Sequence, residues 1–332
     1  MDKIIKTTGF AEDTLIGLSS KPKYLLSKYF YDESGSRIFE EIMRMPEYYL
    51  TDCELEIFEN YKIEFADQFF SPDKGFQLIE LGAGDGLKTK VLLSHLFKNG
   101  VDFTYIPIDI SRESMEKLKQ DIHKRLPGLD VREQIGDYLD LIPLLNGSIP
   151  KIVLFLGSNI GNYSYEESLT FLRQLRSILN AEDKLLIGFD VKKDPEIILR
   201  AYNDPYGLTA AFNLNLLSRI NDELDADFNT DNFIHQEVYD PYTGTAESYL
   251  ISTKDQQVHI LDLDRTIHLQ ENERIYMEMS QKYDETMIKT LAGNSGFRII
   301  NNYYDKRSWF VDSLWGLNSS RDFNNHSDPY QK

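Results

Sequence analysis

The stretch Phe76–Lys90, FQLIELGAGDGLKTK, limits the possible folds of this chain more than any other. A short apolar run (Leu78, Ile79, Leu81) ends in Glu80-Leu81-Gly82-Ala83-Gly84-Asp85-Gly86, and a helix-like segment, Thr89 to Phe97, follows. Strand, glycine turn and helix in that order make a nucleotide site at the carboxyl edge of an open α/β sheet. Glycine lets the backbone approach a ligand and adopt dihedrals that a Cβ forbids. The spacing E-x-G-x-G-x-G is not the dinucleotide pattern G-x-G-x-x-G. The third glycine comes one residue early, and no small residue is left where helix and strand must pack closely. A plain tight turn is the competing explanation, and the other strand ends decide between the two.

From Phe76 onward strands and helices alternate. Phe103–Asp109 reads as a second strand ending in an acid, and Ser111 caps the helix after it with Glu113 in the first turn. Val131–Ile135 is a third short strand, running into Gly136-Asp137-Tyr138. Lys151–Leu156 is a fourth, apolar enough for burial on both faces, and leads into Gly157-Ser-Asn-Ile-Gly161-Asn162. Ser164 with Glu167 forms a capping box for the next helix, and Lys184–Asp190 is a fifth strand. Five strands with helical crossovers predict a mainly parallel, doubly wound sheet, Rossmann-like in outline. A helix from Glu285, Gly296, and strands Phe297–Tyr303 and Ser308–Leu314 would close it with an antiparallel hairpin.

Two regions break this rhythm. In the first fifty residues Lys21–Phe30 and Arg37–Met43 read as helical, and Thr51 with Glu54 reads as a capping box. Asp194-Pro195-Glu196 opens another helix, helical sequence continues to about Leu224, and residues 233–269 alternate like antiparallel strands. The expected organisation is therefore a sheet domain of residues 57–192 and 283–332. A second α+β lobe, residues 1–56 and 193–282, would lie over its carboxyl edge. The tail from Ser319 reads as polar and loose.

The formal net charge of −18 and the lack of a Lys/Arg cluster argue against nucleic acid as a partner and favour a small molecule. No apolar run reaches the roughly 18–20 residues of a membrane span, and the start MDKIIKTTGFAEDT lacks a signal-peptide core. Cys53 is the only cysteine, so no internal disulfide forms. A cytoplasmic protein without membrane association is expected, and a monomer, since no exposed apolar helix face stands out. The six histidines are scattered without ligand spacing, which disfavours a metal.

Four strand ends now share one pattern: the glycine turn, Asp109, Asp137 with Tyr138, and Asn162. Asp109 lies 23 positions beyond Gly86, near the ~20-residue offset at which an acid reaches ribose hydroxyls. Asp137 beside Tyr138 offers an acceptor for an adenine amino group next to an aromatic face. Each acid alone reads equally well as a helix cap. Together, behind that turn, they favour S-adenosylmethionine (SAM), whose class I methyltransferases have a motif I that the glycine turn resembles.

Over nearly its full length the chain resembles the SAM-dependent histidine Nα-methyltransferases of ergothioneine biosynthesis. The segments that carry this are YFYDESGSRIFEEI, MPEYYLT, ELGAGDGLKT, FLGSNIGNYS, AYNDPYGLTAAFNLNLL and ERIYMEMSQKY. The resemblance implies a class I SAM-methyltransferase fold, and trimethylation of the α-amino group of L-histidine to hercynine, with S-adenosyl-L-homocysteine as the other product. By motif, Gly82, Lys88, Asp109, Asp137 and Tyr138 stand at positions that hold SAM. Tyr48, Asn162, Tyr202, Glu278 and Ser280 stand at positions that hold the amino acid, and Tyr31 matches a tyrosine near the amine. Tyr31 and Asn162 are thereby the candidate catalytic pair. Glu278 and Ser280, two apart on a strand, share a face suited to an imidazole N–H and its neighbouring nitrogen.

The sequence departs from its relatives at two places. It reads Glu247-Ser248 where they commonly read Glu-Met in the strand bordering the side-chain pocket, and a smaller Ser248 would widen that pocket. It has Asn159 where they often read Thr before Ile-Gly-Asn. Two other readings stand beside histidine methylation. One is a same-family α-N-methyltransferase for another amino acid, such as tyrosine or a tryptophan derivative, which would gain little from a buried Glu278. The other is a SAM-binding regulatory protein with no catalysis, against which the retained Asn162, Tyr202, Glu278 and Ser280 argue.

Overall fold

The computed structural model describes residues 9–69, 75–145 and 147–318, and the tail from Ser319 lies outside them. The chain divides into two compact units, Met1–Tyr49 with Lys193–Ser280, and Leu50–Lys192 with Gln281–Lys332. The expected boundary at residue 57 falls inside the helix Tyr49–Phe69, and the division comes at its first turn instead. Its i→i−4 hydrogen bonds make such a helix a single rigid element, which goes with one unit.

In the second unit, eight described strands form one sheet. Its order is Phe297–Tyr304, Phe310–Leu317, Lys184–Asp190, Lys151–Phe155, Phe76–Leu81, Phe103–Asp109 and Asp130–Val131, with Gln134–Ile135 also on Phe103–Asp109. The pairs from Lys184–Asp190 outward to Asp130–Val131 are parallel, and Phe310–Leu317 and Phe297–Tyr304 add an antiparallel hairpin at the other end. This bears out the expected mainly parallel, doubly wound sheet closed by an antiparallel hairpin. The third strand differs from expectation. Val131–Ile135 is two short pieces, Asp130–Val131 and Gln134–Ile135, with Arg132 and Glu133 between them outside the paired register, although Arg132 N–H still donates to Tyr105 O at 2.9 Å.

The central parallel strands Phe76–Leu81, Lys151–Phe155 and Lys184–Asp190 are buried on both faces, as helices on each side require. All five residues of Lys151–Phe155 are buried, and Ile79, Val153, Phe155, Ile187, Phe189 and Trp315 belong to one apolar core. Parallel direction places the ends of these strands along one edge, where the loops of such sheets bind ligands. Ser111 and Ser164 cap the helices expected of them, the second with a full capping box.

The first unit is built on a four-stranded sheet, in the order Lys23–Tyr24, Arg274–Gln281, Thr245–Ser252 and Phe233–Asp240, and a separate hairpin of Gln256–Ile260 with Arg265–Leu269. Along Thr245–Ser252 every second residue is buried, so one face packs inward. The helix Leu208–Leu224 covers apolar residues here: Phe212, Leu216 and Ile220 share a core with Leu250, Ile275 and Met277.

Two local readings are overturned. Lys21–Phe30 is not a helix: Lys23 and Tyr24 pair in parallel with Ile275 and Tyr276, and only Ser27–Tyr29 makes a short 3₁₀ turn. Leu25 N–H donates to Tyr276 O at 2.8 Å, so a strand partner far along the chain satisfies the backbone that a helix would have used. Nor do Thr51 and Glu54 form a capping box. The helix already begins at Tyr49, and the Glu54 carboxylate accepts from Gly157 N–H and Lys88 instead.

Candidate active site

The glycine turn follows directly from strand Phe76–Leu81. Gly82, Gly84 and Gly86 all have left-handed backbones, with φ of 73°, 53° and 62°. At Gly82 the need for glycine is twofold, since a Cβ would also lie 3.0 Å from Asn159 Nδ2. Asn159, one of the two departures noted in the sequence, thus packs over the turn. Gly82 N–H and Ala83 N–H both donate to Ile108 O, at 2.8 and 3.1 Å.

Asp109 ends the adjacent strand and holds the turn. Its Oδ2 accepts from Gly84 N–H at 2.9 Å and its Oδ1 from Ser111 N–H at 2.8 Å. Burial pushes its carboxyl above the ordinary range, with the N–H groups of Ser111 and Gly84 working against that shift. An ionised carboxylate has about four acceptor positions, so two backbone donors leave room for hydroxyl groups of a ligand. Below the turn, Glu80 is 3% exposed and accepts from Thr89 Oγ1 at 2.6 Å and from the Tyr105 hydroxyl. Burial raises its pKa to about 7.

Asp137 caps the short helix Tyr138–Leu141 through Leu139 N–H, at 2.9 Å. The Tyr138 hydroxyl lies 2.6 Å from that of Tyr163, and its ring packs edge-on to Phe155 and Phe171. Asn162 ends the 3₁₀ segment Asn159–Asn162 with its side chain exposed. This segment comes close to the backbone of Gln281, where a Cβ on Gly161 would sit 2.8 Å from the carbonyl oxygen.

Lys88 pairs with Glu54, a residue the sequence reading had assigned to a cap. Glu54 is fully buried and accepts from Gly157 N–H with both oxygens at 2.9 Å. It passes beside Gly188, where any Cβ would collide with it. Asp312, on strand Phe310–Leu317, is also fully buried and faces the pair. Sequence pattern held no sign of this trio, because its members are 34 and 224 positions apart.

The other residues expected from the sequence to bind substrate, Tyr48, Tyr202, Glu278 and Ser280, belong with Tyr31 to the first unit, where aromatic rings gather. Tyr31, Phe39 and Phe212 meet pairwise with centroids 5.5–5.6 Å apart. Phe39 continues to Tyr48 at 6.1 Å, and Tyr48 to Tyr202 at 6.2 Å. The Tyr202 hydroxyl then lies 3.0 Å from Ser280 Oγ. Glu278, half-buried, is two residues earlier on the strand Arg274–Gln281. Tyr31, Tyr48, Tyr202 and Ser280, spread over 250 residues of sequence, thus form one chain of contacts.

Ser248 does more than leave space. Its hydroxyl donates to Glu237, whose side chain is 1% exposed, with His235 Nε2 4.0 Å from the same carboxylate. Burial lowers the His235 pKa to about 4, so its ring is neutral. Glu237 and His235 had not been singled out in the sequence.

Among the described residues no group of three or more His, Cys, Asp and Glu side chains is placed to hold a metal ion, and no helix is long and apolar enough to cross a membrane. The family model described as histidine-specific, SAM-dependent methyltransferase matches residues 10–317. The chain belongs to that family. It is a SAM-dependent methyltransferase. A histidine N-alpha-methyltransferase from Mycobacterium tuberculosis is 33% identical over 302 residues, covering 91% of this chain and 93% of the relative. One from Mycolicibacterium smegmatis is 33% identical over 306 residues, with the same two shares. Ergothioneine biosynthesis protein 1 of Schizosaccharomyces pombe is 30% identical over 294 residues, which are 86% of this methyltransferase and 38% of that protein. The positive-φ turn, the adjacent Asp109 and Lys88, whose side chain is 19% exposed, fit the SAM of this family: open backbone, an acceptor for hydroxyls and a cation for a carboxylate.

Proposed function

We propose that this methyltransferase trimethylates the α-amino group of L-histidine, giving hercynine and S-adenosyl-L-homocysteine. The observation that carries the reading is the contact chain Tyr31–Phe39–Tyr48–Tyr202–Ser280, with Glu278 on the same strand as Ser280. It supports a pocket with neutral hydroxyl donors at one end and aromatic faces at the other.

In this reading Gly82, Lys88, Asp109, Asp137 and Tyr138 hold SAM, which supplies an electrophilic methyl group on a sulfonium. The chain's own residues then position the nucleophile, and such alignment accounts for most of the acceleration in a transfer of this kind. Asn162 and the hydroxyls of Tyr48 and Tyr202 donate to the substrate carboxylate without adding charge. Glu278 accepts from an imidazole N–H and Ser280 serves the neighbouring ring nitrogen. A substrate without that N–H would strand a carboxylate acceptor, and such a mismatch discriminates strongly. Tyr31 with Asn162 orients the amine lone pair and passes its proton towards water. As methyl groups accumulate, the fixed cation is met by the faces of Tyr31, Phe39 and Phe212 through cation–π attraction.

Incubation with SAM and an equimolar mixture of amino acids, read by mass spectrometry, tests the reading. Mono-, di- and trimethylated histidine are expected. Methylation of another amino acid in preference to histidine would overturn the substrate, and no methylation of any amino acid would overturn the reaction.

A further inference from the structure

Lys88, Glu54 and Asp312 bring two carboxyl groups and one ammonium into a buried cluster at the carboxyl edge of the sheet. Glu54 and Asp312 have no exposed surface, and the Lys88 side chain is 19% exposed. The pattern of partners is uneven. Glu54 takes Lys88 Nζ and Gly157 N–H, whereas neither oxygen of Asp312 has a hydrogen-bond partner among the described residues. A fully buried ionised carboxylate without a donor is among the most costly arrangements in a protein interior. Two facing carboxyls avoid it in one way: one of them carries a proton and donates it to the other.

We infer that Glu54 and Asp312 act as a single acid, holding one proton and one negative charge between them, and that this shared charge is the positioning device for the Lys88 ammonium and the Gly157 turn. The inference rests on the reading of Lys88 as a SAM ligand only for its effect on cofactor binding. Burial first, and then the charge on Glu54, push Asp312 well above the usual carboxylate range, with Lys88 opposing. Burial works against the charge on Lys88, but Glu54 outweighs it and holds Lys88 above its ordinary value.

The shared charge has a consequence that separately acting residues would not have. If Glu54 loses its charge, burial still raises Asp312, but the repulsion from Glu54 is gone and Lys88, left without its counter-ion, draws Asp312 towards ionisation. Asp312 ionises and becomes the counter-ion of Lys88. If Asp312 is replaced by its neutral amide, Glu54 keeps Lys88 Nζ and Gly157 N–H as its partners. Either carboxyl is therefore dispensable alone, and the pair is not. Coupled buried carboxyls titrate as a pair for the same reason.

The test is a double-mutant cycle of Glu54→Gln and Asp312→Asn. It is read by calorimetric affinity for S-adenosyl-L-homocysteine and by the melting temperature of the ligand-free protein. Each single variant is expected to weaken binding by less than roughly tenfold, and the double variant by more than roughly a hundredfold beyond their product, the upper part of the usual coupling range. Melting temperatures should show the same non-additivity. Adding Lys88→Met to the double variant removes the uncompensated cation and should restore the melting temperature, which keeps the test decisive if the double variant folds poorly. Additive effects, a single variant as damaged as the double, or no rescue by Lys88→Met would each overturn the inference. The stability arm is independent of any amino-acid substrate. A failure there leaves the histidine reading intact, and failure of that reading leaves this arm unchanged.

Discussion

The two units hold their candidate residues by opposite chemistry. In the unit containing the glycine turn, the polar groups are carboxyls held by backbone N–H groups or by side-chain hydroxyls: Asp109 by Gly84 and Ser111, Glu54 by Gly157, Glu80 by Thr89 Oγ1 and the Tyr105 hydroxyl. In the unit containing Tyr48, Tyr202 and Ser280, the contacts are between neutral hydroxyls and ring edges. Under the proposed function the difference follows from what each unit would hold. A cofactor common to every turnover would be served by groups fixed with the sheet, at the cost of burying charge. An amino acid methylated three times at its amine would be better met by donors and faces that tolerate both states. Substitutions on the first side should therefore change cofactor affinity and stability together, and those on the second should change substrate use alone.

The largest effect should come from Asp109→Ala. It removes the acceptor of Gly84 N–H and Ser111 N–H, leaves a positive-φ turn without its anchor, and deletes the expected ribose contact. Hydrogen bonds to a charged group contribute about 1.5–3 kcal/mol each, so calorimetry should show affinity for S-adenosyl-L-homocysteine weaker by roughly a hundredfold or more. Histidine affinity should change less than about threefold, roughly the effect of distant mutations on one another. A comparable loss for both ligands would break the division of labour.

Glu278→Gln probes the other side. Replacing the carboxylate by an amide removes the charge-assisted acceptor for an imidazole N–H, and kcat/KM for histidine should fall by roughly a hundredfold. The melting temperature should change by only a few degrees, since the amide keeps the shape of this half-buried side chain and one acceptor oxygen. Competition between histidine and tyrosine in the same assay would show whether selectivity goes with the carboxylate.

The same contrast governs what the sequence allowed to be read. The glycine turn, the strand ending at Asp109 and the caps at Ser111 and Ser164 are local patterns, and the structure forms them where periodicity and spacing put them. Glu54 shows the limit. Thr51-x-x-Glu54 satisfies the capping-box pattern, but the pattern does not see Gly157, 103 positions away, whose N–H the carboxylate takes. Lys21–Phe30 fails for a similar reason, because Ile275–Tyr276 supplies a strand partner. Tyr48, Tyr202 and Ser280 have no local signature at all. Their contact comes from tertiary packing, and only similarity to a family pointed to them beforehand.

Glu80 gives a pH-dependent test of the charged side. Its folded pKa, raised by burial to about 7 from an ordinary 4.5, means that the folded protein holds a proton the unfolded chain has released. The resulting contribution to stability is complete below about pH 4.5 and is lost as pH rises through about 7. It amounts to on the order of 3 kcal/mol. Glu80→Gln, which retains a carbonyl acceptor for Thr89 and Tyr105, should flatten that slope in urea unfolding between pH 4.5 and 7.5 and be the more stable protein at the upper end. A variant with the parent's slope would place the titration elsewhere.

The smallest effect should come from Tyr202→Phe, and it bears most directly on the neutral side. The variant keeps the ring beside Tyr48 and removes only the hydroxyl facing Ser280. One neutral hydrogen bond contributes about 0.5–1.5 kcal/mol, so KM for histidine should rise by roughly three- to tenfold with kcat little changed. Ser280→Ala removes the same contact from its other end. If the two hydroxyls act as one hydrogen-bonded unit towards the substrate, the double variant should be little worse than either single one. If each contacts the substrate separately, the losses should multiply. The contrast between the halves sharpens or fails on that outcome. A coupled, neutral Tyr202–Ser280 pair parallels the coupled, charged Glu54–Asp312 pair, whereas independent hydroxyls would mean that only the charged side works through linked groups.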